Sequence, residues 1–257
     1  MSHLRQEGNK MQTSNLVLLS NQEALERAMD VVANNIANSS TAGFKREGIQ
    51  FNTLINQPAP GESIDFVIDK ATYHDVSSGP TIATGNPLDV AIRGAGYFPV
   101  QTPAGTRYTR GGSFQLNDQG EIVTAAGQLV LGDGDQPITL PDTTTNITIS
   151  PDGVVSAQVD NSPDTSQVGK LKLVTFDNEQ DLQPEGSGLY STSQPALPAT
   201  NPQIMEATLE QSNVQPVTEI THMIEILRSY EQTQNLINAE NTRMSDGLTK
   251  LSRVSAA

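Results

Sequence analysis

The chain has 257 residues, no cysteine, no tryptophan and a formal charge of −14 at pH 7. The absence of cysteine excludes a disulfide framework, a thiolate metal site and a cysteine nucleophile. The acidic excess lies in residues 47–212, which carry 20 acidic and 6 basic residues, and this surplus argues against nucleic acid as a partner.

Glycine and proline divide the chain into three zones. Of the 20 glycines, 18 lie between Gly43 and Gly188, and of the 15 prolines, 14 lie between Pro58 and Pro202. Because both residues disfavour helix interiors, two helix-permissive ends flank a turn-rich middle. The sequence predicts an α+β fold, in which N- and C-terminal coiled-coil-forming helices bracket a central antiparallel β domain.

The N-terminal end is predicted to form a helix over residues 14–40, after a disordered prefix over residues 1–13. Apolar residues recur at three- and four-residue steps, with Gln22 filling one position, as is typical of a helix with one buried face. This stripe consists of Leu18, Leu25, Met29, Val32 and Ile36.

The last turns of this helix have an unusual composition. They read VVANNIANSSTAGFKR, so Asn34, Asn35 and Asn38 crowd a helix end although asparagine is a mediocre helix former. Two interpretations are open at this point: hydrogen bonds to a neighbouring subunit that set the register of an assembly, or a frayed polar end followed by a loop. Gly43 suits a left-handed backbone that ends the helix, and Phe44 is expected to anchor the turning chain in an apolar site.

The middle of the chain is predicted to contain a connector, a β domain and a return connector over residues 41–78, 79–193 and 194–212. Short alternating runs such as YFPV, TRYTR and EIVT are separated by turn sequences such as TPAG and NDQG. This spacing is typical of antiparallel strands joined by hairpins. Pro99 lacks a backbone donor, so its run is expected to form an edge strand or a bulge.

The C-terminal end is predicted to form a second helix over residues 213–254. Pro216 suits its first turn, and Ser212 and Asn213 are candidates for capping it. About 38 helical residues at about 1.5 Å each make a helix roughly 55 Å long, which favours a coiled-coil arrangement. Its predicted apolar seam consists of Val217, Ile220, Ile224, Leu227, Tyr230, Ile237, Met244, Leu248 and Leu251.

The two terminal helices are predicted to need partners. An isolated helix draws most of its stability from packing, so neither helix is expected to be stable alone. The natural partners are the other helix of the same chain and the helices of neighbouring copies. The neutral charge of the two ends allows such copies to pack without strong repulsion.

No catalytic, cofactor or metal constellation stands out in the sequence. The acidic loop GDGD at residues 132–135 lacks the further ligands of a calcium loop. The sequence RGAGYF lacks the strand–turn–helix setting of a dinucleotide loop, because β structure is predicted to continue after it. We therefore expect no enzymatic activity and no cofactor.

No membrane insertion and no cleaved signal peptide are expected. No apolar run approaches the roughly 20 residues of a membrane span. The apolar run at residues 16–19 is shorter than the roughly 7–15 residues of a signal-peptide core.

Three motifs in the chain resemble those of the flagellar rod and hook protein family. ANNIANSSTAGFKR resembles the N-terminal motif of that family, and LEQSNV followed by a long helix resembles its C-terminal motif. Between them, DVAIRGAGYF leading into YTRGGSF resembles the central β segment. The match runs from about Gln12 to Val254 with the motifs in the family's order.

The resemblance implies a non-enzymatic structural subunit of the flagellar basal-body rod. Family members pass through the flagellar type III export apparatus and polymerise in the periplasm into a helical tube that transmits torque. Their terminal helices form its inner coiled-coil layer. Copies of the same chain and neighbouring rod proteins are the implied partners. The modest connector favours a proximal-rod subunit, with a distal-rod subunit as the alternative.

The resemblance also favours the intersubunit interpretation of the asparagines and marks a set of residues as an assembly motif. This set consists of Asn34, Asn35, Asn38, Thr41, Gly43, Phe44, Lys45, Leu209, Glu210, Ser212, Asn213 and Val214.

Two alternatives of a different class remain open from the residues. One is a secreted β-domain binding module, for polysaccharide for example, that its coiled coil oligomerises. Such a module needs exposed aromatic residues, which make up only 4% of this chain. The other is an enzyme with an unrecognised acidic site.

Overall fold

The computed structural model describes residues 2–59, 62–141, 144–159, 165–200 and 203–254, with side chains outside 2–15, 51–71, 248 and 250–254. The chain forms two compact units. Unit 1 comprises Met1–Ala37, Glu47–Tyr73 and Gln215–Ala257, and unit 2 comprises Asn38–Arg46 and His74–Val214.

Unit 1 contains the two long helices. The first, α1, spans Ser2–Ala37, and the second, α2, spans Pro216–Val254. They pack against each other. Along α1 the predicted apolar stripe is buried at Val32 and half-buried at its other four positions. The stripe therefore lies on a face that the fold covers, as its spacing predicts.

The connector predicted over residues 41–78 contains two strands. Strand β1 spans Glu47–Ala59 and strand β2 spans Glu62–His74, and the two pair in a two-stranded sheet. Strand β1 also contacts α1. In β2, Ile64, Phe66 and Ile68 alternate with Asp65 and Asp69, so a local signal for a strand was present in the sequence. The prediction of a disordered prefix differs from the structure, since α1 begins at Ser2.

Unit 2 is built from short antiparallel strands. The strands in its first half are β3 (Thr81–Ala83), β4 (Val90–Ile92), β5 (Phe98–Thr102), β6 (Gly105–Thr109), β7 (Phe114–Leu116), β8 (Ile122–Thr124) and β9 (Leu129–Val130). Those in its second half are β10 (Thr144–Ile149), β11 (Val154–Val159), β12 (Thr165–Lys170), β13 (Val174–Thr175), β14 (Gln183–Glu185), β15 (Leu189–Ser191), β16 (Leu197–Pro198), β17 (Ile204–Glu206) and β18 (Thr208–Glu210).

The strands form one large sheet and several small ones. The seven-stranded sheet has the order β14-β15-β6-β5-β9-β8-β7, and a three-stranded sheet has the order β10-β11-β12. Strand β4 pairs with β17 and β3 pairs with β18, which brings the return path beside the start of the β domain. The return connector predicted over residues 194–212 thus contains three strands. The fold class predicted from the sequence, two helices around an antiparallel β middle, is confirmed.

The prediction for Pro99 is wrong, because β5 lies inside the seven-stranded sheet. Pro99 pairs with Tyr108 on β6, and its carbonyl accepts the N–H of Leu131 at 3.0 Å. The N and O of one strand residue point to the same side, so the missing donor of Pro99 faces the end of β9, where regular pairing stops. A proline is tolerated there because only one ladder bond is missing.

The core of unit 2 contains residues from several of its sheets. The largest apolar cluster includes Phe98, Val100, Ile122 and Val130, all fully buried, and the Phe98 and Phe114 rings meet edge to face at 5.2 Å. A second cluster surrounds Tyr97, Phe176 and Tyr190. These clusters form the buried core of unit 2.

Candidate functional site

Each of the three sequence motifs contributes one charged side chain to a buried cluster in unit 2. Lys45 comes from the first motif, Arg110 from the central one and Glu210 from the last. Lys45 Nζ lies 2.7 Å from Glu210 Oε1, and Arg110 Nε lies 2.8 Å from Glu210 Oε2. The three side chains are 3%, 4% and 2% exposed. The cluster therefore joins segments 165 and 100 positions apart in the chain.

Backbone groups satisfy the remaining hydrogen-bonding capacity of the cluster. Lys45 Nζ donates to the carbonyl of Ser77 at 2.7 Å, and the N–H of Gly79 donates to Glu210 Oε1 at 3.1 Å. Arg110 also donates to backbone carbonyls of the 92–96 turn, those of Ile92, Gly94 and Gly96, at 2.6 to 3.1 Å. Buried ions are tolerated only when paired and hydrogen-bonded in this way.

The surroundings shift the pKa values of the cluster. Burial would raise the pKa of Glu210, but the hydrogen bond from Lys45 and the charges of Arg110 and Lys45 together lower it below its ordinary value. Burial lowers the pKa of Lys45, and the hydrogen bond and charge of Glu210 oppose that change. The cluster is therefore electrostatically coupled, and its carboxylate is stabilised in the ionised form.

The backbones of the first and last motifs lie side by side next to this cluster. The N–H of Gly43 donates to the carbonyl of Glu210 at 2.8 Å, and the N–H of Asn213 donates to the carbonyl of Phe44 at 3.4 Å. Gly43 has a φ of 71°, and a Cβ there would lie 2.5 Å from the backbone carbon of Arg110. The left-handed backbone predicted at this position is therefore present, and the close approach requires glycine as well.

The remaining members of the predicted assembly motif in unit 2 bond locally or within this body. Thr41 Oγ1 donates to Asn38 Oδ1 at 3.2 Å, in the turn that follows α1. Ser212 Oγ accepts the N–H of Val214 at 3.2 Å, and both residues are buried. Phe44 and Leu209 are half-buried. Ser212 does not cap α2, because its hydroxyl bonds to Val214 before that helix starts.

In unit 1, Asn35 binds the first residue of β1. Asn35 Oδ1 accepts the N–H of Glu47 at 2.9 Å, and Asn35 Nδ2 donates to the carbonyl of Glu47 at 2.8 Å. Asn35 Nδ2 also lies 3.4 Å from Glu219 Oε2 on α2, and both side chains are buried. The structure thus gives Asn35 partners inside the subunit, and an intersubunit role for it stays a prediction.

The neighbouring asparagines differ from Asn35 in exposure. Asn34 is exposed and its Nδ2 donates to Glu47 Oε2 at 3.3 Å, whereas Asn38 is half-buried. An intersubunit role for Asn34 and Asn38 stays a prediction. Asn35 reaches a buried site because it lies on the same face of α1 as Val32 and Ile36.

The predicted seam of α2 divides into two parts. Tyr230, Ile237 and Met244 are half-buried, whereas Val217, Ile220, Ile224 and Leu227 are 78%, 49%, 46% and 42% exposed. The side chains of Leu248 and Leu251 lie outside the described residues. At about 100° per residue, the exposed stripe lies about a third of a turn around α2 from its buried face. The predicted single seam is therefore two stripes in the subunit.

Polar side chains connect the two helices along the buried face of α2. Gln22 Nε2 donates to the Tyr230 hydroxyl at 2.8 Å, and that hydroxyl donates to Glu26 Oε1 at 3.2 Å. Asn21 Nδ2 donates to Oγ1 of the buried Thr233 at 3.3 Å. Because each bond needs a particular pairing along the helices, these contacts set the register of α1 against α2.

Other parts of the chain offer no competing chemistry among the described residues. Asp133 lies 3.4 Å from Lys170 Nζ, and Asp135 lies 2.6 Å from Lys172 Nζ, so the acidic loop faces lysines. Within the described ranges, no three histidine or acidic side chains are grouped as metal ligands. No helix in the described part of the chain is both long and apolar enough for a membrane span.

Sequence reasoning missed two residues of these sites, Arg110 and Glu219. Arg110 lies inside the quoted motif YTRGGSF, directly after an alternating strand, and its charge at that place was the available signal. Glu219 is one of several acidic residues on α2, and nothing in the pattern distinguishes it from a solvated side chain. Only the packing of α1 against α2 shows that it is buried.

Family models match the chain in three places, in the same order as the motifs. The model for the flagella basal body rod protein matches residues 16–45, and that for the flagellar hook protein FlgE/F/G D1 domain matches residues 91–157. The model for the flagellar basal body rod FlgEFG protein C-terminal region matches residues 205–251. The buried cluster takes its Lys45, Arg110 and Glu210 from these three matched regions.

Whole-chain relatives agree with the family models. The flagellar basal-body rod protein FlgF of Caulobacter vibrioides is 40% identical over 243 residues, covering 91% of this chain and 93% of the relative. FlgF of Mesorhizobium japonicum is 34% identical, covering 94% and 98%. FlgG of Caulobacter vibrioides is 36% identical, covering 82% and 88%. The chain belongs to the family of flagellar basal-body rod proteins.

Proposed function

We propose that this chain is a structural subunit of the flagellar basal-body rod, without enzymatic activity. The observation that carries the proposal is the 40% identity to a FlgF protein over nearly the whole of both chains. The pairing of the loop acids Asp133 and Asp135 with lysines supports the absence of a calcium or catalytic acidic site. The likeness to rod proteins along the whole chain favours this function over a polysaccharide-binding module.

Within the rod we assign the chain to the FlgF type, which is the proximal-rod subunit. Two FlgF relatives match at 40% and 34% identity over more than nine tenths of the chain. The FlgG relative of the same species as the first matches at 36% over 82% of the chain. The greater identity and coverage of the FlgF match favour the proximal position over the distal one.

Polymerisation is proposed to use the exposed apolar stripe of α2. Four apolar side chains there, Val217, Ile220, Ile224 and Leu227, remain at least 42% exposed in the subunit. Covering them with a neighbouring helix would contribute roughly 1 kcal/mol each, because about half of each side chain is still available for burial. Several such interfaces per subunit produce a tube that is stiff enough to transmit torque.

The partners are copies of this chain and neighbouring rod proteins of the FlgG type. The route is export through the flagellar type III apparatus, without a cleaved signal peptide, to a rod that crosses the periplasm. The acidic middle of the chain is compatible with an absence of nucleic-acid partners.

The test is removal of this gene from the source organism, followed by electron microscopy of isolated basal bodies. We expect rods that stop before the distal part, no hook and no swimming, with all three restored by the chain supplied from a plasmid. Complete basal bodies and normal swimming without the gene would contradict the proposal.

A further inference from the structure

Asn213 binds two distant segments of unit 2 through one side-chain amide. Its Oδ1 accepts the backbone N–H of Arg46 at 2.7 Å. Its Nδ2 donates to the carbonyls of Asp75 at 2.8 Å and Ser77 at 3.1 Å. The N–H of Asp75 also donates to the carbonyl of Arg46 at 2.8 Å, so the three segments form one hydrogen-bonded group.

These segments are those next to the points where the chain passes between the units. Arg46 is the last residue of its segment of unit 2, Asp75 is the second residue of the next, and Asn213 is the second-last residue before unit 1 resumes. We call residues 43–46, 74–79 and 209–214 the border segments. Asn213 lies 167 positions from Arg46 and 138 positions from Asp75 in sequence, so specific bonds must offset the entropy of bringing these segments together.

Asparagine is the residue type that these partners require. Its amide carries an acceptor and two donors on one rigid planar group. Here the acceptor faces an N–H and the donors face two carbonyls. Aspartate would lose both donors, and alanine would lose every bond.

The fold does not depend on Asn213 alone. A variant without its amide can therefore fold while its border segments are less firmly positioned. The charge cluster holds the same border segments by other bonds, since Lys45 Nζ donates to Ser77 O and Gly79 N–H donates to Glu210 Oε1. The loss of the amide would therefore loosen the border segments while the core of unit 2 stays intact.

We propose that Asn213 is a positioning residue for rod assembly, which holds the three border segments in one arrangement before the subunit meets its neighbours. The inference rests on the proposed function, because it assigns the side chain a role in polymerisation beyond folding. A subunit whose border segments fluctuate has to order them during assembly, and that ordering costs conformational entropy.

The first readout is amide hydrogen exchange of the dilute, full-length protein. In Asn213→Ala we expect the amides of Arg46 and Asp75 to exchange roughly tenfold faster, while those of β5 keep their rates. Asn117→Ala is the matched control, because Asn117 Oδ1 accepts two N–H groups within a single turn, from Gln119 and Glu121. Its effect should be confined to that turn.

The second readout is assembly in a strain that lacks the native gene. We expect the unsubstituted chain and Asn117→Ala to restore swimming, and Asn213→Ala to restore few complete rods although it folds. Asn213→Asp should behave like Asn213→Ala, because its carboxylate would face the carbonyls of Asp75 and Ser77.

Unchanged exchange at Arg46 and Asp75 in Asn213→Ala, or complete rods despite faster exchange, would overturn the inference. If the unsubstituted chain fails to restore swimming, the proposed function fails, and the assembly role of Asn213 fails with it. The complementation control therefore distinguishes the two failures.

Discussion

Glu210 joins the three border segments to one another and to Arg110. Its two carboxylate oxygens accept from Lys45, Arg110 and the N–H of Gly79, and its carbonyl accepts from Gly43. Replacing a buried, paired charge leaves its partners uncompensated, and this costs more than the pair itself contributes. One side chain therefore links all three motifs.

Glu210→Gln should destabilise the protein by about 3–5 kcal/mol, because Lys45 and Arg110 would be left buried without a counter-charge. The measurement is urea unfolding at neutral pH. Glu185→Gln is the control, because Glu185 pairs with Arg107 at the surface, and its unfolding midpoint should not change. Equal effects of the two substitutions would contradict the importance of burial.

The stabilisation by Glu210 should depend on pH. Its pKa in the folded protein lies below the ordinary value of 4.5, so the contribution is fully present above pH 4.5. It is lost as the pH falls through the lower folded-state pKa. The difference in unfolding free energy between the wild type and Glu210→Gln should therefore shrink on acidification, and urea titrations at several pH values would measure it. A constant difference would contradict the assignment.

Gly43→Ala should cost at least about 2 kcal/mol of stability, because a left-handed backbone and a close backbone contact act together. Gly43 has a φ of 71° and a Cβ would lie 2.5 Å from two backbone atoms. Gly85 has a φ of 79° with nothing near its Cβ position, so Gly85→Ala isolates the backbone cost of about 1 kcal/mol. Thermal unfolding measures the loss of stability in each variant. Equal losses would show that the close backbone contact at Gly43 has no effect.

At the scale of elements, α2 separates two tasks on two faces. The face that carries Glu219, Tyr230 and Thr233 packs on α1 through polar contacts. The face that carries Ile220, Ile224 and Leu227 remains exposed. A helix can serve both tasks because its side chains project at about 100° intervals around the axis.

Ile224→Ser should leave the stability of the monomer nearly unchanged and reduce self-association, because the side chain is exposed in the subunit and apolar area drives association. Glu225→Ser, at an exposed polar position beside it, is the control. Sedimentation velocity at high protein concentration measures the first effect and thermal unfolding the second. Normal self-association of Ile224→Ser would exclude this stripe as an interface.

At the scale of the whole molecule, the chain passes between the two units several times. The border segments all belong to unit 2. Residues 38–46 and 208–214 are parts of unit 2 and form hydrogen bonds within it. The backbone there is hydrogen-bonded from Gly43 to Glu210 and from Asn213 to Phe44, so local opening at these residues breaks several bonds.

Trypsin should cut dilute protein after Arg228 and Arg243 before it cuts after Lys45. Arg228 and Arg243 are exposed on α2, whereas Lys45 is 3% exposed and paired with Glu210. Proteolysis follows local opening, and opening at Lys45 breaks a buried cluster. Mass spectrometry of early fragments measures the order. In Glu210→Gln the cut after Lys45 should appear earlier, and an unchanged order would contradict the argument.

Local patterns in the sequence were sufficient to predict the two helices, the β middle and the family, because helix periodicity, turn residues and motifs are read within short windows. The β1–β2 pair was not predicted, although Ile64, Phe66 and Ile68 alternate in β2, because alternation within one strand does not identify the strand with which it pairs. Local patterns also could not predict which side chains bond to each other. Asn35 bonds inside the subunit, and Lys45, Arg110 and Glu210 meet across 100 positions or more, because packing chooses which distant segments share a buried site.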